Sequence, residues 1–222
     1  MKKIDLIIFD MDGLMFDTER ISFYSWKQAA IKYDYEISDE ILRETLGTNL
    51  EKTKSIYVKY FGEKIPIQAI AEDRFAIAEN FIDVNGVPVK EGLYDLLDFL
   101  GKLRIKKAVA TSTSRKRAYK LMKMANIHTH FDYIICGDEI EKSKPNPDIF
   151  LKVAQKLDCN PANCLVLEDS EVGVQAAYRA GMLPVMIPDL KEPSEEIKKL
   201  YYKRLGSLCE VKNLLESINS GA

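Results

Sequence analysis

The sequence predicts a doubly wound α/β protein, in which helices cover both faces of a parallel β-sheet and a helical domain is inserted near the start. Five short apolar runs alternate with segments of helical period, the pattern of a parallel sheet buried on both faces. Residues 18–87 contain no strand-like run and read as several helices. We therefore predict an α/β core of residues 1–17 and 88–222, and a helical insert of residues 18–87.

The predicted strands of the core are apolar, and most of them end where polar or charged residues begin. They are Leu6–Phe9, Ala108–Ala110, Tyr133–Cys136, Cys164–Leu167 and Leu183–Ile187. The helix predicted before the second strand places Leu93, Leu96 and Leu100 on one face, and a last helix is predicted from Val211. Residues 191–204, which are rich in charge, are predicted to form a solvated helix face.

The insert shows start and stop signals for individual helices. Ser38 predicts the start of one helix, because a serine side chain can cap free N–H groups, and Gly47 predicts its end. A second helix is predicted from near Pro66, with a stripe of apolar side chains that includes Phe75 and Ile82.

The composition is that of an ordinary globular protein and excludes several classes of function. Of 222 residues, 32 are basic and 34 acidic, and no basic arm is present, so we do not expect nucleic acid as a partner. No apolar run approaches the roughly 18–20 residues of a membrane span. The first one is interrupted by Asp5 and too short for a signal peptide. Four widely spaced cysteines without a C-x-x-C pair argue against zinc, and we expect a cytoplasmic protein with reduced thiols.

Polar and charged residues follow each of the first four predicted strands. In open α/β sheets, ligands bind beyond the carboxyl ends of the strands, which all lie at one edge. The residues delivered to that edge are Asp10 and Asp12, then Thr111 to Lys116, then Lys144, and finally Glu168 and Asp169. A single aspartate at a strand end is commonly a helix cap. Four such strand ends together, with several acids and a lysine, indicate a binding site.

The residue types at this edge suit a phosphate and a hard cation. Closely spaced carboxylates repel one another and are stable when a cation lies between them. Oxygen ligands without cysteine or histidine favour Mg²⁺ over zinc. The hydroxyls of Thr111 and Ser112 and the ammonium of Lys144 suit phosphate oxygens. The sequence therefore predicts a site for a phosphoryl group and Mg²⁺.

Four segments then reveal a family resemblance. In chain order, FDMDGLMFDTE, ATSTSRK, KSKPNPDIF and LVLEDSEVGVQAAYRAGM resemble the four motifs of the haloacid dehalogenase superfamily, and within it the β-phosphoglucomutase-like phosphatases. The resemblance implies a Rossmann-like core with a helical cap, which residues 18–87 match in position and size. It implies that Asp10 is a nucleophile that forms an aspartyl-phosphate, and that Asp12 is the general acid and base.

The resemblance also implies which residues hold the metal and the phosphate. Asp10, the main-chain carbonyl of Asp12, Glu168 and Asp169 would surround Mg²⁺. Ser112 and Lys144 would hold phosphoryl oxygens in the transition state.

A further phosphate contact is implied for the loop after the second strand. The stretch that matches Ser114, Arg115 and Lys116 holds a distal phosphate in the mutase-like subgroup. Solvated charges at the start of a helix explain the same residues equally well.

The expected function is a Mg²⁺-dependent phosphatase for a small organic phosphate, with a sugar phosphate favoured. The alternative is a β-phosphoglucomutase, which moves the phosphoryl group between sugar hydroxyls. Ser22 stands where the mutases carry a cap histidine, and the loop around Gly47 lacks their basic residues, although Lys52 and Lys54 lie nearby. These departures favour the phosphatase. A phosphoacceptor signalling domain is a remote alternative, since its accepting aspartate lies later in a shorter chain. The expected partner is a small-molecule phosphate ester, with neither nucleic acid nor membrane, and the oligomeric state is left open.

Overall fold

The computed structural model describes residues 3–46, 48 and 50–220. The chain divides into two compact units, residues 1–16 with 88–222 and residues 17–87. The chain first passes from one unit to the other between Phe16 and Asp17, one residue before the boundary that we predict from the sequence.

The first unit is built on a parallel sheet of six strands in the order β3-β2-β1-β4-β5-β6. The strands are β1 (Leu6–Phe9), β2 (Lys106–Ala110), β3 (Tyr133–Ile135), β4 (Cys164–Glu168), β5 (Leu183–Met186) and β6 (Lys203–Arg204). Strand β1 pairs with β2 on one side and with β4 on the other. Because every pair is parallel, the carboxyl ends of these three strands lie side by side at one edge. The structure confirms the predicted α/β fold class.

The described residues of this unit form five α-helices. They are α5 (Leu93–Leu103), α6 (Arg115–Met124), α7 (Asp148–Lys156), α8 (Glu171–Arg179) and α9 (Val211–Ser220). On one sheet face, Ile8 of β1 belongs to the same buried cluster as Phe150 and Val153 of α7 and Ala177 of α8. Burial of such side chains removes apolar surface from water, which is the main favourable term in folding.

The prediction of a solvated helix over residues 191–204 is wrong. Most of this segment is irregular, with one short 3₁₀ turn at Ile197–Lys199, and it ends in the edge strand Lys203–Arg204. The backbone N–H of Leu205 donates to the carbonyl of Met186 at 2.9 Å, which extends the pairing with β5. The end of this segment therefore forms backbone hydrogen bonds with the open edge of the sheet at β5, and does not form the helix that its charge pattern predicts.

The second unit contains the helices α1 (Thr18–Ile31), α2 (Asp39–Thr45), α3 (Leu50–Phe61) and α4 (Ile67–Asn85). The predicted start at Ser38 is confirmed, because its Oγ accepts a hydrogen bond from the N–H of Ile41 at 3.4 Å. Gly47, predicted to end this helix, lies outside the described residues. The rings of Trp26 and Tyr57 pack edge to face in the core of this unit, with centroids 5.2 Å apart.

Helix α4 corrects one detail of the predicted apolar stripe. Ile67 and Ile82 are buried as expected, but Phe75 is 52% exposed. At 3.6 residues per turn Phe75 lies about 80° around the helix from Ile67, at the margin of the buried arc. Among the described helices, none is long and apolar enough to cross a membrane.

Candidate active site

A tight turn follows β1 and brings its acids to the end of the neighbouring strand β4. The N–H groups of Met15 and Phe16 donate to the carbonyl of Met11 at 2.9 and 3.0 Å, and the N–H of Gly13 donates to the carbonyl of Phe16 at 2.9 Å. Gly13 has a φ of +82°, and a Cβ there would lie 2.2 Å from Oδ2 of Asp169. Only glycine fits both this backbone conformation and this close approach.

The ammonium of Lys144 lies between the ends of β1, β2 and β4. Its Nζ donates to Asp10 Oδ1 at 2.5 Å, to Glu168 Oε1 at 2.6 Å and to the carbonyl of Ala110 at 3.1 Å. Its side chain is 4% exposed, and the ring centroid of Phe150 is 5.1 Å from Nζ. The three donors of the ammonium thus have three acceptors, which fixes its position.

Three carboxylates form a cluster around this lysine. Asp10, Glu168 and Asp169 each offer an oxygen, and these oxygens lie within 4.8 Å of one another. Glu168 is fully buried, and its Oε2 accepts from the N–H and the hydroxyl of Ser170 at 3.2 and 2.9 Å. Lys144 contributes one positive charge to Asp10 and Glu168, which together carry two negative charges when ionised. The number and closeness of the carboxylates and their all-oxygen donor set fit Mg²⁺.

The protonation of Asp10 and Lys144 depends on burial and on each other's charge. The pKa of Asp10 is raised to about 7, mainly by burial and to a smaller extent by the charge of Glu168, while the charge of Lys144 acts in the opposite direction. Burial lowers the pKa of Lys144, but the charges of Asp10 and Glu168 outweigh it, and the pKa is raised overall. Lys144 is therefore a permanent cation of the site, whereas the charge of Asp10 responds to its surroundings.

Asp12 lies in a different environment from Asp10. Its Oδ2 accepts a hydrogen bond from Thr113 Oγ1 at 2.7 Å, and its Oδ1 is 3.8 Å from Nη1 of Arg117. The turn after β1 thus directs one acid towards Lys144 and the other towards the loop after β2. Sequence analysis placed Thr113 at this edge, within the run from Thr111 to Lys116, but gave it no contact with Asp12, and it did not single out Arg117. No spacing rule connects either residue with Asp12.

The other predicted phosphate contacts lie along the loop after β2. Thr111 is buried, and its Oγ1 accepts a hydrogen bond from the N–H of Thr113 at 3.0 Å. Ser112 is exposed, and Ser114 is exposed at the N-terminal cap of α6. The hydroxyl of Thr111 therefore closes the turn, while that of Ser112 lies at the surface.

Arg115 is held by acids of a neighbouring turn. Its Nη1 lies 3.0 Å from both carboxylate oxygens of Glu139, and its N–H donates to Asp138 at 3.0 Å. Lys116 is exposed. Binding of a distal phosphate by Ser114, Arg115 and Lys116 stays a prediction, and for Arg115 it requires competition with Glu139.

The fold and this site identify the class of protein. Residues 7–187 match the family model of haloacid dehalogenase-like hydrolases, and the chain belongs to this family. The resemblance of the four motifs is thereby confirmed.

Relatives within the family narrow the class of reaction. The chain is 28% identical over 183 residues to the phosphorylated carbohydrates phosphatase of Thermotoga maritima, covering 81% of this chain and 82% of that protein. It is 31% identical over 185 residues to the β-phosphoglucomutase of Bacillus subtilis, covering 81% of each. The fold is shared with β-phosphoglucomutase from Clostridium difficile, with a TM-score of 0.77, 24% identity and 98% of each chain covered. The chain is thus a phosphatase or phosphotransferase of the haloacid dehalogenase type.

Proposed function

We propose that this enzyme is a Mg²⁺-dependent phosphatase that hydrolyses a small sugar phosphate through an aspartyl-phosphate. The arrangement of Asp10, with Lys144 on one oxygen and Glu168 and Asp169 within 4.8 Å, carries the proposal. It supplies a nucleophilic carboxylate, a fixed cation and an oxygen-rich metal site at one edge of the sheet. The Thermotoga maritima relative, whose name refers to phosphorylated carbohydrates, supports the substrate class.

In the first step, a carboxylate oxygen of Asp10 attacks the phosphorus atom. The new bond joins Asp10 to phosphorus, the bond to the sugar oxygen breaks, and its electron pair remains on that oxygen. The ammonium of Lys144, which is already fixed in place, offsets negative charge on the phosphoryl oxygens. Bound Mg²⁺, held by Asp10, Glu168, Asp169 and the carbonyl of Asp12, would supply further neutralisation of phosphate charge.

Asp12 supplies and then removes the proton. As a carboxylic acid it protonates the leaving sugar oxygen and becomes a carboxylate. The carboxylate then takes a proton from a water molecule whose oxygen bonds to phosphorus. The bond between phosphorus and Asp10 breaks, which releases inorganic phosphate and restores both acids to their starting forms. The two side chains have separate environments, as two separate roles require.

A β-phosphoglucomutase is the second candidate, and two observations favour it. One is the similarity to the Bacillus subtilis enzyme. The other is Arg74 in the helical unit, whose Nη1 donates to Ser22 Oγ at 3.4 Å and whose guanidinium lies 5.2 Å from the ring of Trp26. The position that matches the mutase histidine therefore has a cation beside it, which sequence analysis did not find. In the loop around Gly47, the other basis for preferring a phosphatase, Gly47 and Asn49 lie outside the described residues.

The deciding experiment combines a substrate panel with a product analysis. Sugar phosphates, nucleotides and other small phosphate esters are incubated with the enzyme and Mg²⁺, and inorganic phosphate is measured. We expect turnover by the wild type and none by Asp10→Asn. Steady turnover of a phosphate ester also distinguishes an enzyme from a phosphoacceptor signalling domain.

β-Glucose 1-phosphate with a catalytic amount of the 1,6-bisphosphate then separates phosphatase from mutase. Release of inorganic phosphate faster than formation of glucose 6-phosphate supports the phosphatase. Glucose 6-phosphate formed much faster than phosphate would replace the proposal with the mutase, and Arg74, Lys52 and Lys54 would become the first residues to test.

A further inference from the structure

We infer that Thr113 is a positioning residue, whose hydroxyl holds the carboxyl group of Asp12 in one orientation through both halves of the reaction. The inference rests on the proposed role of Asp12 as general acid and base. Its starting point is the hydrogen bond of 2.7 Å from Thr113 Oγ1 to Asp12 Oδ2, which joins the loop after β2 to the turn after β1.

Thr113 presents its hydroxyl from a backbone that is fixed on both sides. Its N–H donates to Thr111 Oγ1 at 3.0 Å, and its carbonyl accepts from the N–H of Gly137 at 3.0 Å. The two loops are so close that a Cβ on Gly137 would lie 2.1 Å from the carbonyl oxygen of Ser112. A β-branched side chain has restricted rotation about χ1, so the hydroxyl keeps its direction.

A hydroxyl suits an acid that changes its protonation state during turnover. The threonine hydroxyl can both donate and accept a hydrogen bond, whereas lysine and arginine can only donate. It can therefore stay bonded to Oδ2 whether Asp12 is a carboxylate or a carboxylic acid. Nη1 of Arg117 lies 3.8 Å from the other oxygen of Asp12. Together the two contacts restrain both oxygens of Asp12.

Thr113→Val tests this inference, because valine keeps the branched shape and loses the hydroxyl. The measured quantity is kcat/KM, which reports the steps up to release of the alcohol, for two probes. Glycerol 2-phosphate has an alkoxide leaving group that needs a proton, whereas the leaving group of p-nitrophenyl phosphate departs without one. We expect kcat/KM to fall about 10- to 100-fold for glycerol 2-phosphate. It should change little for p-nitrophenyl phosphate, and the Mg²⁺ concentration for half-maximal activity should be unchanged.

Matched variants make the result specific. Thr113→Ser restores the hydroxyl and should restore activity on glycerol 2-phosphate. Thr129→Val removes an exposed threonine hydroxyl of the same unit and should behave as the wild type with both probes. Circular dichroism establishes that each variant is folded, and Thr113→Ala replaces Thr113→Val should the latter not fold.

Three results would overturn the inference, and one of them overturns the proposed function as well. Equal losses on both probes would assign Thr113 a structural role. Wild-type values of kcat/KM for Thr113→Val on both probes would show that Thr113 has no role in positioning Asp12. If Asp12→Asn hydrolyses glycerol 2-phosphate as fast as the wild type, then Asp12 is not the acid, and the proposed mechanism fails independently of Thr113.

Discussion

Replacing Gly13 by alanine should weaken Mg²⁺ binding, an effect that backbone strain alone does not produce. The Cβ of the alanine would lie 2.2 Å from Oδ2 and 2.8 Å from Cγ of Asp169. Ordinary van der Waals contact starts at 3.4 Å, so the carboxylate oxygen would have to retreat by roughly 1.2 Å, the difference between 3.4 and 2.2 Å. Asp169 is a proposed metal ligand, and this displacement is the perturbation under test.

The expected magnitude has two parts. A φ of +82° in an L-residue costs about 1–2 kcal/mol, which lowers the free energy of unfolding. The displaced carboxylate affects the metal, because ligand distances in metal sites hold to within about 0.2 Å. Loss of a group that orients a metal ligand weakens metal binding by about 10- to 100-fold. We expect a loss of that size in Mg²⁺ affinity, with a matching rise in the Mg²⁺ concentration needed for turnover.

Gly181→Ala is the matched control. Gly181 lies in the same unit with a φ of +72°, and the space around its Cβ position is open to 4 Å. The Gly181→Ala variant therefore imposes the backbone strain of a positive φ without a collision of the kind that Gly13→Ala makes with Asp169. Urea unfolding should show similar losses of about 1–2 kcal/mol for both variants. Isothermal titration with Mg²⁺ and the Mg²⁺ dependence of hydrolysis should change only for Gly13→Ala.

One outcome would refute this reasoning. If Gly13→Ala binds Mg²⁺ as tightly as Gly181→Ala and the wild type, then either Asp169 is not a metal ligand or its carboxylate moves aside at no cost. Removal of Asp169 itself, by Asp169→Ala, separates the two explanations, since only the second predicts weaker binding in that variant.

The remaining predictions concern Asp10, Lys144 and the metal. Burial raises the pKa of Asp10 from 3.8 to about 7, so the ionised group destabilises the metal-free fold increasingly between about pH 4 and pH 7. Asp10→Asn should abolish turnover. In EDTA at pH 8 the same variant should raise the free energy of unfolding by at most ~4 kcal/mol, and this gain should vanish near pH 4. A gain that stays constant across urea titrations at several pH values would show that ionisation of Asp10 is not its cause. Lys144→Met should lower the free energy of unfolding by about 3–5 kcal/mol at pH 8, because two buried carboxylates lose their partner. Adding Glu168→Gln should recover part of that loss; no recovery would mean that the carboxylate of Glu168 is not the source. Chelation should abolish phosphate release, Mg²⁺ should restore it and Zn²⁺ should restore it poorly, and full activity in excess EDTA would disprove the metal site.

The acidic cluster could be predicted because strand direction alone determines where it lies. Asp10 and Glu168 stand at the ends of two apolar runs, and parallel strands bring such ends to one edge. The contact between Asp12 and Thr113 could not be predicted in the same way. It joins residues 101 positions apart, and it depends on the register in which Phe9 pairs with Val109 and on the path of the loop beyond.

Helix geometry decides which of the cations at the start of α6 lies near Asp12. Arg115 and Arg117 are two positions apart in α6, and therefore point about 200° apart around the helix. Arg115 meets Glu139, and Arg117 lies near Asp12. A sequence shows a cluster of cations there, but the face that each one takes follows only from the start and the orientation of the helix.

The position of the insert governs the order in which the chain can fold. Strand β1 is synthesised before its partner strands β2 and β4. These begin at Lys106 and Cys164 and leave the ribosome only after all of residues 17–87. The insert is one continuous stretch and can become compact during synthesis, whereas the central strand must wait as an exposed run of four apolar residues. The long sequence separation of these pairings also slows their formation. The short length of β1, which is bounded by charged residues at Asp5 and Asp10, limits its tendency to pair with other nascent chains during that delay.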